Sequence, residues 1–146
     1  MRNAAQRLDN ILNDIEINCD PTIGSRECTQ FSLDCLALIR HRLPPIASEA
    51  AKIVRRYLEN QLSLEDVIDT SLKCWQYLDE HYKNVPITDP SVSSIRAVIF
   101  PLDAQKTQER RNIVDHLSSF LELVNNVEPH HMQEEELLRV HFAKCV

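Results

Sequence analysis

One glycine, Gly24, stands in a chain of 146 residues. Average usage is about 7%, which would place roughly ten in this length. A phosphate-cradling loop needs several glycines so that backbone N–H groups can approach the anion closely. The dinucleotide fingerprint, the nucleophile elbow and the kinase glycine loop are excluded on the same ground. Tight β-hairpins rely on glycine for positive φ, so the composition also argues against an all-β fold. Punctuation falls to the seven prolines, and the expectation is an all-α fold.

The length suits a single helical domain over residues 1–146, with enough buried surface for a real core. The net charge is −6. Nucleic-acid binders carry a basic face, and none is visible here. The longest apolar stretch, Ala97 to Phe100 continued through Pro101 to Leu102, falls far short of the roughly 20 residues a membrane span needs. Met1-Arg2-Asn3-Ala4-Ala5 runs directly into an amphipathic pattern without an apolar leader core, which points to the cytoplasm. The five cysteines, Cys19, Cys28, Cys35, Cys74 and Cys145, are odd in number and irregularly spaced. With no export signal visible, the expectation is free thiols.

Apolar periodicity places six or seven helices. Leu8, Ile11, Leu12 and Ile15 mark one over about residues 3–17. Ser25 opens a second, with Phe31, Cys35, Leu38, Ile39 and Leu43 inward, and Pro44-Pro45 ends it. A third starts at those prolines, with Ile46, Ala50, Ile53, Val54 and Tyr57 inward. Ser63 caps a fourth, and its spacing to Asp66 approximates a capping box. The fourth stripe reads Leu64, Ile68, Ser71, Trp75, Leu78 and Tyr82, so Trp75 is expected in the core and Tyr77 outside it. Ser91 or Ser93 opens a short fifth helix stopped by Pro101, the same segment being open to a strand reading. The sixth runs from about Lys106 to Asn125, with Ile113, Val114, Leu117, Phe120, Leu121 and Val124 inward. Glu128-Pro129-His130 interrupts, and the last helix covers about 131–144.

Chemistry-bearing patterns are sparse. His130/Glu134 and His131/Glu135 stand at i,i+4, a spacing that lets one helical turn present two zinc ligands. The competing reading is a solvated helix start whose glutamates favour the dipole. No metal or other cofactor is assigned. The cysteines and histidines fall in no nucleophile signature, and the acidic pairs lack a visible cleft, so no catalytic residue is expected. Lys52, Arg55 and Arg56 could meet phosphate, but they are three cations on an acidic chain. More informative is an acidic helical face with an aromatic anchor: Glu65, Asp66, Asp69, Tyr77, Asp79 and Glu80, with Glu134, Glu135 and Glu136 as a second candidate. Interfaces favour such aromatics.

The order Phe31-Ser32-Leu33-Asp34-Cys35, Arg42-Leu43-Pro44, Tyr57 through Val67 and Cys74-Trp75 resembles the small all-helical immunity proteins of bacterial polymorphic toxin systems. Ser94 through Leu102, the Leu117–Val124 segment and Leu137-Leu138 extend the likeness over about residues 31–140. The resemblance implies a non-enzymatic bacterial protein that binds a cognate toxin domain and occludes its active or substrate site. It carries no residue across, because such proteins bind through variable surfaces. A helical adaptor or regulatory module unrelated to toxins is the alternative, and an enzyme with an unrecognised site is the third. Formation of a homodimer is left open.

Overall fold

The computed structural model describes residues 3–19, 25–105 and 113–145. These described residues form seven α-helices and one 3-10 turn: α1 (Ala4–Asn18), α2 (Ser25–Leu38), the turn Arg40–Arg42, α3 (Pro45–Leu58), α4 (Leu64–His81), α5 (Pro90–Ala104), α6 (Ile113–Val127) and α7 (His131–His141). Gly24 and the expected start of the sixth helix at Lys106 lie outside the described residues.

The described residues contain no glycine, and their helix ends use other residues. Asn60 takes φ 61° and Asn84 φ 69°. Asparagine tolerates this left-handed region, because its short polar side chain bonds locally. After α3 the Asn60 N–H donates to the Tyr57 carbonyl at 3.0 Å and the Gln61 N–H to that of Arg56 at 2.9 Å. Those two bonds form the Schellman termination that glycine usually supplies. At the other end, Ser63 and Asp66 complete the expected capping box of α4.

α5 is the central helix and packs against α2, α3, α4 and α6. Asp89 caps it, accepting from the Ser91 and Val92 N–H groups. The helix continues past Pro101 to Ala104, which corrects both the expected stop and the strand reading. An interior proline costs about 3 kcal/mol. Ile95, Val98, Ile99 and Leu102 are all buried here. At about 1.5–3 kcal/mol for each such side chain, burial outweighs the proline. The Gln105 amide donates to the Pro101 carbonyl at 3.0 Å and to Thr29 Oγ1 at 2.8 Å, closing the last turn. The buried Ser93 and Ser94 hydroxyls donate to the carbonyls of Ile87 and Pro90.

The buried side chains form one cluster contributed by all seven helices. Phe31 lies at its aromatic centre, edge-on to Phe120 at 6.3 Å and Phe142 at 6.2 Å. No described helix is long and apolar enough to cross a membrane.

Cys19 and Cys145 are joined as a disulfide, with Cα atoms 4.9 Å apart. This corrects the expectation of five free thiols. The two residues are separated by 126 positions, so local spacing carried no sign of the pairing. Cys28, Cys35 and Cys74 are free and buried. The bond ties the end of α1 to the turn after α7, beside an Asn18 amide that donates to the Cys145 carbonyl. Toward the other end of α1, Arg7 pairs with Glu135 at 3.0 Å. Both contacts ascend together along the chain, so α1 and α7 run parallel. A partly exposed ion pair contributes only about 0–1 kcal/mol, so covalent linkage and packing are the larger contributions to holding α1.

Candidate functional site

Helix α4 bears two apolar stripes. Val67, Ser71, Cys74 and Leu78 face inward and are buried. Leu64, Ile68, Leu72 and Trp75 follow one another at spacings of four, four and three. They lie about a quarter-turn round the helix from the first stripe. Leu64 is 40% exposed, Leu72 50% and Trp75 37%, with Ile68 half-buried. The expected core position of Trp75 is therefore corrected. The periodic pattern fitted both stripes, and packing against α3 and α5 selected the one containing Cys74. The Arg96 guanidinium of α5 sits 5.3 Å from the Trp75 ring centroid.

Tyr77 is corrected in the opposite direction. It is half-buried against the core, 4.2 Å from the His81 ring and 6.1 Å from Tyr82. Asp66 is exposed but engaged, because its Oδ2 accepts from both the Ser63 N–H and hydroxyl at 3.0 Å. Those hydrogen bonds hold its carboxyl below the usual range. Glu65, Asp69, Asp79 and Glu80 are exposed and form no ion pair with any described residue. Helical geometry puts Glu65, Asp69 and Glu80 on the solvent side of the Leu64–Trp75 ridge and Asp79 on its line, one turn beyond Trp75.

The second acidic group does not form a common surface. Glu134 is fully buried, Glu135 is held by Arg7 and Arg139, and only Glu136 is exposed. The Arg7 hydrogen bond, with Arg139 adding to it, keeps the Glu135 carboxyl below its usual range. Burial pushes Glu134 up to about 7, against a smaller opposing pull from the Asn125 amide. Neither Glu134 oxygen, nor the buried Asn125 Oδ1, has a hydrogen-bond partner within normal geometry.

The histidine pairs also diverge. His130 Nε2 lies 2.6 Å from Glu128 Oε1, while His41 and Arg42 reach Glu128 Oε2 at 3.1 and 3.2 Å. These contacts fasten the 3-10 turn to the α6–α7 link. Hydrogen bonds from His41 and His130 hold Glu128 down at about 2. Among the described residues, no group of three or more His, Cys, Asp or Glu could hold a metal ion.

Burial pushes Cys28 up to about 12 and Cys74 up to about 11, and Cys35 well above its ordinary value. Nucleophilic cysteine needs thiolate character and access, and these three have neither. In the native, oxidised protein a thiol reagent should react far more slowly with all three than with a free cysteine. Unfolding should release three equivalents. Stoichiometric labelling of the native protein within seconds would contradict this placement.

A small apolar groove of about 220 Å³ lies between α2 and α3, lined by Leu33, Leu36, Ala37, Leu43 and Ala51, with Arg40, Lys52 and Arg55 among its polar lining. Small side chains at Ala37, Ser48 and Ala51 leave the hollow, a signal readable only once the two helices are known to face each other. Lys52 and Arg55 thus share the groove. Arg56 is absent from its lining and its charge acts on Asp66.

No family model, curated protein or solved structure matches the chain. The fold and geometry define a helical bundle built on one connected core, with an acidic, partly apolar outer face on α4.

Proposed function

We propose that this chain is a protein-binding inhibitor of the immunity type, which docks a basic toxin domain through the outer face of α4 and occludes its active or substrate site. The observation that supports the reading is the set of exposed carboxylates Glu65, Asp69, Asp79 and Glu80, none of them paired with a described cation. Unpaired charge of one sign steers a partner of the other sign during encounter and suppresses wrong partners. The Glu134–Glu136 group is not part of the proposal, because Glu134 is buried and Glu135 is engaged by two arginines. The sequence points to the cytoplasm, whereas the Cys19–Cys145 bond supports oxidising surroundings, where such bonds persist.

The test is co-expression with the product of the adjacent reading frame, scoring growth and co-purification together. The combined reversal Glu65→Lys, Asp69→Lys and Glu80→Lys should slow association at low salt by about tenfold or more and flatten its salt dependence. Unchanged protection and association by that variant would refute the electrostatic reading.

A further inference from the structure

The exposed stripe of α4 has more apolar surface than the bundle covers. A helix at the edge of a bundle needs one inward stripe, and Val67, Ser71, Cys74 and Leu78 already provide it. Leu64, Ile68, Leu72 and Trp75 form a second, solvent-facing ridge roughly 16 Å long. Contiguous exposed apolar surface rimmed by polar residues marks an interaction site more often than scattered single residues do. Here the rim has a definite sign: Glu65 and Asp69 flank the ridge, and Asp79 and Glu80 close its end beyond Trp75. Cations also stand nearby, and Arg56 acts on Asp66 at the start of α4. Arg96 stacks over Trp75, while Lys73 projects from the opposite flank of the carboxylates.

The geometry points to a docking surface for one class of partner, a basic amphipathic helix that lays its apolar side on the Leu64–Trp75 ridge and its lysines or arginines against the carboxylates. This deepens the protein-binding reading above and rests on it. The charge complement selects the occupant. A second copy of this chain would bring four carboxylates to meet four, and like charges in juxtaposition oppose pairing. A basic helix meets both the ridge length and the rim. The anchor positions repeat at three and four residues, the spacing at which helix-in-groove recognition places its contacts. Leu72, the most exposed residue of the ridge, and Trp75, its largest, are the main apolar anchors, and Arg96 holds the indole in place from the α5 side.

Trp75 is the only tryptophan in the chain, so its fluorescence reports on this surface alone. The oxidised full-length protein is titrated with an amphipathic leucine–lysine peptide of about five helical turns. The expected result is a shift of Trp75 emission to shorter wavelength, shielding from acrylamide, and a dissociation constant that rises with salt. Leu72→Glu should weaken binding at least tenfold, because it places a charge in the middle of the apolar contact. Leu72 is half exposed and glutamate is a good helix former, so this variant should keep the native melting profile. The pair Asp69→Lys and Glu80→Lys should weaken binding at least tenfold at low salt and remove most of the salt dependence. Met132→Glu on α7, at a 68% exposed position, should leave binding unchanged. Absence of binding, binding without a change in Trp75 emission, or binding indifferent to Leu72→Glu would each overturn the surface. So would emission that depends on protein concentration and not on peptide, since that outcome assigns the face to a second copy. A natural partner that co-purifies equally with wild type and Leu72→Glu would refute this surface while leaving the protein-binding role standing.

Discussion

Reduction of the Cys19–Cys145 bond should lower the unfolding free energy by about 5 kcal/mol. The bond closes a loop across 126 positions, and the chain-entropy relation for a loop of that length gives this magnitude. For a domain near 150 residues the corresponding fall in Tm is about 10–20 °C. Reductant acts on one linkage only, because Cys28, Cys35 and Cys74 are already thiols. Equilibrium denaturation with and without dithiothreitol measures the change. The double variant Cys19→Ser, Cys145→Ser should reproduce the reduced protein without reductant. Equal transition midpoints for the oxidised and reduced forms would show that the bond contributes nothing to stability. The first local consequence of reduction should appear at α1. That helix packs against α6 and α7, and its ion pair between Arg7 and Glu135 is partly exposed. Hydrogen exchange should therefore accelerate in α1 before it does in α5.

Glu134→Gln should stabilise the protein by about 3 kcal/mol at pH 8.5 and have little effect at pH 4.5. Burial raises the folded carboxyl to about 7 from an ordinary value of 4.5. The unfolded carboxyl therefore releases its proton first as pH rises. Stability is fully retained below 4.5, declines between 4.5 and 7, and is lower by a constant amount above that window. The shift corresponds to about 3 kcal/mol at 1.36 kcal/mol per unit. Glutamine keeps the shape and removes the charge, so the variant should lack this pH dependence. Its Tm at pH 8.5 should exceed that of wild type by about 6–12 °C. Melting curves at pH 4.5, 7 and 8.5 decide it. A variant no more stable than wild type at pH 8.5 would show that Glu134 ionises without cost. The surroundings support the expected sign. From α2 the Cys35 thiol faces the carboxyl, from α6 the Asn125 amide, and no cation is bonded to it.

Features that depend on neighbours in sequence were legible without the structure. The Ser63–Asp66 capping box is one, since its bonds span three residues. The start of α3 at Pro45 is another, because proline suits a first helical turn. Features decided across the core were not legible. The period of α4 was readable, but its rotation was not: Leu64, Ile68 and Trp75 compete with Val67 and Cys74 for the inward side, and both sets satisfy helical spacing. Pro101 reads locally as a stop, while four packed helices carry α5 beyond it. Three consecutive glutamates in α7 look alike in sequence. Packing buries Glu134, pairs Glu135 with arginines and exposes Glu136. On α4, the carboxylates Glu65, Asp69, Asp79 and Glu80 are exposed, as their polar pattern in the sequence indicates. Their aromatic companion is not legible from spacing, since Trp75 and not Tyr77 stands on the exposed side.

The Cys19–Cys145 bond also closes residues 19–145 into one covalent ring. A protease that cuts the exposed stretch before Pro90 opens the ring but releases no fragment. The nicked molecule keeps its mass and both halves of its core in one covalent body, so such a cut becomes visible on a gel only after thiol is added.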